Sequence, residues 1–310
     1  MAGLKITGWG TALPERVVTN HDLAAQVDTT DEWITERTGI SERHIGGTTA
    51  GLGADAGRMA MERAGVDPSS VDLLILATTT PDRRVPATAS TIQHELGLEC
   101  GAFDLNAACS GFVYGLTAAH GFMRAGLERI LIIGAETLSV ITDWTDRNTC
   151  ILFADGAGAV VVDRTDDDGD VLGFSLSSDG SLEEVLYCDH GGFLDMNGRE
   201  VFRKAVLVME KAGREALKQA GLEPSDIDHV IPHQANIRII EASMKRLGIP
   251  MDKAIHNLHL TGNTSSASIP LAMVHGIDED RIHEGDLVLM VGFGAGMTSA
   301  AAVVRWSVEP

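Results

Sequence analysis

Cys109 has the setting of a nucleophile. It follows the strand-like AFDLN and opens the run SGFVYGLTAAHGFMRAG, whose apolar positions recur at helical spacing. A thiol at a helix N-terminus faces unpaired N–H groups and the positive end of the dipole, which lowers its pKa and favours thiolate. Ser110 and Gly111 are small and leave room above the sulfur. Read without that context, a cysteine is as readily a small buried hydrophobe. Cys100, Cys150 and Cys188 have no comparable setting and are read that way.

Two further side chains could serve such a thiol. His233, in VIPHQAN, follows an apolar strand and so falls at the rim of a sheet, where α/β proteins place their sites. Asn263, in HLTGNTSSAS, occupies the position of the second half that matches Cys109 closely in the first. Taken alone, such an Asn is more often a helix cap than a donor to a substrate. The Gly-rich VGFGAGMTS (residues 291–299) resembles a nucleotide fingerprint, but it leads into TSAAAVVRW, a strand-like run. Dinucleotide binding needs those glycines to open a helix. A hairpin bend, bringing bare N–H groups near the sulfur to hold a tetrahedral oxyanion, is the better use, with a simple turn as the alternative.

These residues have to be carried by elements, and the elements repeat. AGVDPSSVDLLILATTT (64–80) matches AGLEPSDIDHVIPHQAN (220–236): a helix stopped at Ala-Gly, an acidic-Pro-Ser turn, then an apolar strand. GAFDLNAACSGFVYG (101–115) and IHNLHLTGNTSSASIPLA (255–272) both read as a short strand running into a helix. RILIIGAETL with CILFADGAGAVVV pairs with DLVLMVGFGAGMTSAAAVVRW. The order is the same in both copies, which points to a duplicated chain with halves at residues 1–165, carrying Cys109, and 166–310, carrying His233 and Asn263. Continuous apolar runs such as 71–77, 130–133 and 287–291 suit sheets covered on both faces. The predicted architecture is α/β, layered α-β-α-β-α, with the charged VDRTDDDGD (162–170) as the crossing.

Composition sets outer bounds. With 44% hydrophobic and 22% charged residues over 310 positions, the chain can bury a core without disulfides or a structural metal. The four scattered cysteines form no CxxC pair, which predicts neither a zinc site nor a disulfide scaffold and suits a reducing compartment. The start, MAGLKITGWG, does not read as a signal peptide, and no apolar run reaches the ~18 residues of a membrane span. A cytoplasmic protein is the expectation. A net charge of −20 argues against nucleic acid and requires any acidic partner to dock on a local basic patch. Arg199, Arg203, Lys204, Lys211 and Arg214, with Arg238, Lys245 and Arg246, supply one, unless they are only solvated helix faces.

DTTDEWITERTGI, NAACSGF, FADGAGA, PHQANIRII, GNTSSASIP and GFGAGMT occur in an order that resembles the ketoacyl-acyl carrier protein synthase III family of thiolase-fold condensing enzymes, over essentially the whole chain. The resemblance implies a Cys109-His233-Asn263 triad, with the N–H groups of Cys109 and Ala295 as the oxyanion donors. It implies coenzyme A contacts at Trp33, Arg37, Arg147, Gly198 and Asn236, and carrier-protein docking at Arg203, Arg238 and Lys245. The substrates it implies are an acyl-CoA and malonyl-acyl carrier protein, with no metal or other cofactor, in a homodimer. Val85 stands where acetyl-specific relatives carry Phe at the end of the acyl pocket, so longer or branched primers become possible. Thr261 stands where many relatives have His. A non-decarboxylating acyltransferase of the same fold would have no use for Asn263, and a non-catalytic partner subunit would typically lack the nucleophile.

Overall fold

The computed structural model describes residues 3–167 and 169–308. The first half runs β1 (Gly3–Ala12), β2 (Val17–Thr19), α1 (Asn20–Ala24), α2 (Asp31–Thr38), β3 (Glu42–His44), α3 (Thr49–Ala64), β4 (Leu73–Ala77), α4 (Thr88–Glu95), β5 (Gly101–Leu105), α5 (Gly111–Arg124), β6 (Arg129–Thr137) and β7 (Asp155–Thr165). The second runs β8 (Val171–Ser178), β9 (Leu186–Cys188), β10 (Leu194–Met196), α6 (Gly198–Ala220), β11 (His229–Pro232), α7 (Ile237–Leu247), α8 (Leu258–Thr261), α9 (Ser268–Asp278), β12 (Leu287–Gly294) and β13 (Thr298–Arg305). The crossing between them passes Asp168, which lies outside the described residues.

The strand orders show the repeat. One sheet is ordered β1-β7-β6-β4-β5 and the other β11-β12-β13-β8, so β8, β13, β12 and β11 stand for β1, β7, β6 and β4. The inner strands β4–β6 and β11–β12 pair parallel, whereas the outer pairs β1–β7 and β13–β8 are antiparallel. The expected strand near Ile255 does not form among the described residues. Its place beside β11 is held by an isolated parallel bridge between Val230 and Ala254, with Ile255 N–H donating to the Val230 carbonyl at 2.8 Å. Pro250 and the short α8 leave that segment too little extended chain to lengthen the ladder.

Matching side chains explain why both copies pack alike. α3 and α6 begin on side-chain caps from Thr48 and Asn197 and end on left-handed Gly65 and Gly221. β1 crosses α3 at Gly8, where an added methyl would meet the Ala60 carbonyl oxygen at 2.3 Å; β8 crosses α6 at Gly173, where the same methyl would meet that of Ala216 at 2.4 Å. Only a residue without Cβ permits that approach of strand to helix. α3 and α4 cover the outer face of the first sheet, α6 and α7 that of the second, and α5 and α9 lie between the sheets. The central layer is wholly apolar at Phe112, Leu116, Ile269 and Met273, and the result is five layers, α-β-α-β-α.

Candidate functional site

Cys109 sits in a tight turn (Ala108–Ser110) between β5 and α5, where Ala108 is forced to φ 47°. The second half builds the same turn at Ser265–Ala267 before α9, with Ser265 at φ 49°. Superposing the turns pairs Ala108 with Ser265, Cys109 with Ser266, and Asn106 with Asn263. The expectation that Asn263 matches Cys109 is therefore corrected by three residues. The physical sign is that Asn106 and Asn263 do the same job, each side-chain oxygen accepting the N–H two residues on, at 3.2 Å from Ala108 and 2.9 Å from Ser265. That fixes Asn263 with its oxygen occupied, so its NH2 is free to donate. Its backbone is held against Phe153, with Asn263 N–H donating to Leu152 and Ala154 N–H donating back, both at 2.9 Å.

His233 follows β11, its N–H donating to the Val291 carbonyl of β12 at 2.8 Å. Its Nδ1 lies 2.7 Å from the Ser268 hydroxyl, which also accepts from Gln234 N–H at 3.3 Å. Ser268 has no other acceptor for its own proton among the described residues, so it donates to Nδ1 and leaves the ring proton on Nε2. Burial drives the imidazole pKa down to about 3, so it stays neutral. Phe293 meets the ring edge-on, centroids 5.4 Å apart.

The bend 295–297 joins β12 to β13 as an antiparallel hairpin, as the Gly-rich stretch predicts, and brings Gly294 directly against Cys109. A methyl on Gly294 would lie 2.5 Å from the Cys109 nitrogen; one on Gly292 would touch the Cys109 carbonyl oxygen at 3.4 Å and the His233 Cβ at 3.5 Å. Cys109, His233, Asn263 and Phe293 all line one cavity of about 830 Å³.

One expectation fails at the sulfur. Burial pushes the Cys109 thiol up to about 12, with the Glu136 carboxylate adding to the rise and a Ser265 hydrogen bond opposing it. Desolvation in this apolar setting outweighs the helix end, and the resting group is a thiol.

The same cavity opens past Trp33, Arg37, Gly198, Asn236 and Arg238. Trp33 carries the Arg37 guanidinium 4.2 Å from its ring centroid and that of Arg147 at 5.1 Å, although Arg147 does not line the cavity. Asn236 caps α7 and donates to the Arg37 carbonyl at 2.8 Å, tying the α2 and α7 walls together. Arg203 is paired with Glu200 at 2.6 Å, and Arg214 and Arg246 both pair with Glu210, so part of the basic cluster is internally engaged. Lys245 is exposed in the last turn of α7 and does not line the cavity. Val85 is 83% exposed and does not line it either. Thr261 is buried, its hydroxyl donating to the Asn257 carbonyl at 3.3 Å, and so closes the short α8. Sequence reasoning missed Ser268 and Phe293, and since the superposed turns set Ser268 opposite Gly111, the repeat carried no signal for it.

Family models for 3-oxoacyl-[acyl-carrier-protein] synthase III and for its C-terminal part match residues 103–180 and 217–306. A β-ketoacyl-[acyl-carrier-protein] synthase III from Aquifex aeolicus is 48% identical, covering 98% of this chain and 100% of its own length; one from Roseiflexus sp. is 47% identical, covering 97% and 98%. The solved Aquifex aeolicus enzyme superposes with a TM-score of 0.96 over 98% of this chain and 100% of its own. The priming β-ketosynthase of the R1128 polyketide pathway gives 0.95 at 37% identity, covering 99% of this chain and 97% of its own.

Proposed function

The chain belongs to the 3-oxoacyl-[acyl-carrier-protein] synthase III family, with its thiolase-like duplicated fold, and on that premise we propose how it works as a condensing acyltransferase. It primes fatty acid or related polyketide synthesis by joining an acyl-CoA to malonyl-acyl carrier protein with loss of carbon dioxide. The observation that carries the residue assignment is the single cavity lined by Cys109, a neutral His233 and an Asn263 whose amide NH2 is unspent.

In the first half-reaction the Cys109 sulfur attacks the acyl-CoA carbonyl. The tetrahedral oxyanion is held by the N–H groups of Cys109 and Ala295, and the thiol proton departs with the coenzyme A sulfur. Trp33, Arg37, Arg147, Gly198 and Asn236 hold the nucleotide and pantetheine; a Trp flanked by guanidinium groups suits an adenine and its phosphates. In the second, the malonyl thioester loses carbon dioxide while His233 Nε2–H and the Asn263 amide donate to its carbonyl oxygen. The resulting enolate attacks the acyl-cysteine, the bond from its carbonyl to sulfur breaks, and Cys109 leaves as thiolate and takes up one proton from solution. Neutral donors suffice where water is excluded. No metal or redox group enters either step.

Residues 1–165 and 166–310 are the two halves, supported by β7 ending at Thr165 and β8 opening at Val171. The carrier protein docks at Arg203, Arg238 and Lys245. An apolar side chain as exposed as Val85 suits burial against a second copy, which supports a homodimer in which Val85 closes the partner's acyl pocket. Four free cysteines support a cytoplasmic location.

The test is intact-protein mass after mixing with a panel of acyl-CoAs. Wild type is expected to gain one acyl group and Cys109→Ala none, and the best-loaded chain names the primer class. Equal uptake by both proteins would remove Cys109 from the mechanism.

A further inference from the structure

Glu136, at the end of β6, is fully buried and has no part in the steps above. No cation pairs with it among the described residues. Its carboxylate is instead surrounded by donors from both halves of the molecule. From the first half come the Thr78 hydroxyl at 3.2 Å, Thr79 N–H and hydroxyl each at 3.0 Å, and the Thr80 hydroxyl at 2.7 Å. From the second come Ser266 N–H at 3.5 Å and the Ser266 hydroxyl at 2.9 Å, its one proton shared between this carboxylate and the Ala77 carbonyl.

Ser266 is the second-half counterpart of Cys109, so the position that holds the nucleophile in one copy is an anchor in the other. The anchor is tight. Ser266 Oγ also lies 2.8 Å from the Ala77 carbonyl, and a methyl on Gly134 would sit 2.4 Å from the Ser266 carbonyl oxygen. The turn that Ser266 centres carries three working contacts: Asn263 three residues before it, Ser268 on His233 Nδ1 two residues after it, and Ser265 on the Cys109 thiol beside it.

We propose that Glu136 is a positioning residue, a carboxylate clamp that fixes the 263–268 turn of the second half on the first-half sheet and so aims Asn263 and His233 at the malonyl thioester. A buried carboxylate is costly unless its lone pairs are filled, and an apolar side chain of similar volume would serve packing at least as well. What the carboxylate supplies is direction: several fixed hydrogen bonds that admit one placement of the turn. Cys109 stands on a different turn and supplies one oxyanion donor there itself, with the other at Ala295 on the β12–β13 bend, so the clamp bears on the second half-reaction more than the first.

This rests on the functional reading above, and an active wild type separates the failure of one from the failure of the other. Glu136→Gln keeps the volume but turns an acceptor into a donor facing threonine hydroxyls; Ser266→Ala removes the second-half grip and leaves the threonines in place. Acyl uptake by Cys109 and decarboxylation of malonyl-acyl carrier protein are measured separately. Acyl uptake is expected to stay within about threefold of wild type, while decarboxylation kcat falls by roughly 10- to 100-fold with KM unchanged, since sub-ångström misaim costs that much. Equal loss in both half-reactions, a loss confined to KM, or no loss would overturn the clamp. If Glu136→Gln does not fold, Ser266→Ala decides: wild-type decarboxylation kcat in that variant overturns it.

Discussion

The protonation states of the two central groups are set by burial and not by their neighbours in sequence. Cys109 is pushed up to about 12 and His233 down to about 3, so both are neutral at any working pH. A resting thiolate–imidazolium pair is thereby disfavoured, and acyl transfer has to move the thiol proton as the new bond forms. The two possibilities, helix-end thiolate or buried thiol, predict different pH profiles. Below a pKa of about 12 the thiolate fraction grows tenfold per pH unit, so iodoacetamide alkylation of Cys109 is expected to climb continuously from pH 7 to 10. A plateau by pH 8 would mean that the helix end wins. Peptide mapping distinguishes Cys109 from the exposed Cys188, which alkylates in the same experiment.

At the scale of elements, the side chains proposed as catalytic come from loops after β5, β11 and α8, and β12 brings them together. Its Gly294 has no side chain because the Cys109 turn occupies that space, while Gly292 faces the Cys109 carbonyl and His233 at contact distance. The two glycines differ in tolerance. Gly294→Ala places a methyl 2.5 Å from the Cys109 nitrogen and 2.7 Å from the Ala108 Cβ, both on a turn that cannot yield without moving the sulfur. Acyl uptake is expected to fall by roughly a hundredfold, with a destabilisation of about 1–3 kcal/mol from overpacking. Gly292→Ala meets its neighbours at 3.4–3.5 Å, ordinary contact, and its melting temperature is expected to stay near wild type. Differential scanning fluorimetry with acyl-loading rates checks the pair, and equal behaviour would refute the contrast. Much of this was legible in the chain: the Ala-Gly stops, the apolar runs and the Gly-rich hairpin each carry local physics that survives folding. The three-residue offset of Asn263 was not, because it depends on a positive φ at Ala108 and Ser265, residue types that do not announce it. The raised Cys109 pKa was hidden for a similar reason, since burial by distant segments has no local signature. Glu136 reads locally as an ordinary strand-end acid, and only the meeting of 78–80 with 266 across the chain reveals its surroundings.

For the whole molecule the problem is electrostatic: a chain of net charge −20 has to admit an acidic carrier protein. At ~0.15 M salt the screening length is about 8 Å, so the approaching partner senses the local charge at the cavity mouth more than the total. There the structure distinguishes cations that the sequence lists together. Arg203 is held by Glu200, and Arg214 and Arg246 share Glu210, whereas Arg199 and Arg238 line the cavity with no carboxylate partner among the described residues. Arg238 also lies 5.9 Å from the centroid of Phe202, within cation–π reach at the rim. A docking role concentrated at Arg238 predicts that Arg238→Glu raises KM for malonyl-acyl carrier protein by roughly tenfold at low salt. Arg203→Glu and Lys245→Glu are expected to do less, one already neutralised by its neighbour and the other set back from the mouth. The effect is expected to shrink towards wild type in 0.5 M NaCl, because rim charges act mainly on encounter and are screened. The small thioester malonyl-N-acetylcysteamine shares the malonyl carboxylate but has no acidic protein surface to steer, and its KM is expected to be unchanged by Arg238→Glu. A rise for both donors would assign Arg238 to the pantetheine channel instead of the docking face, and no rise for either would move the carrier protein to another surface.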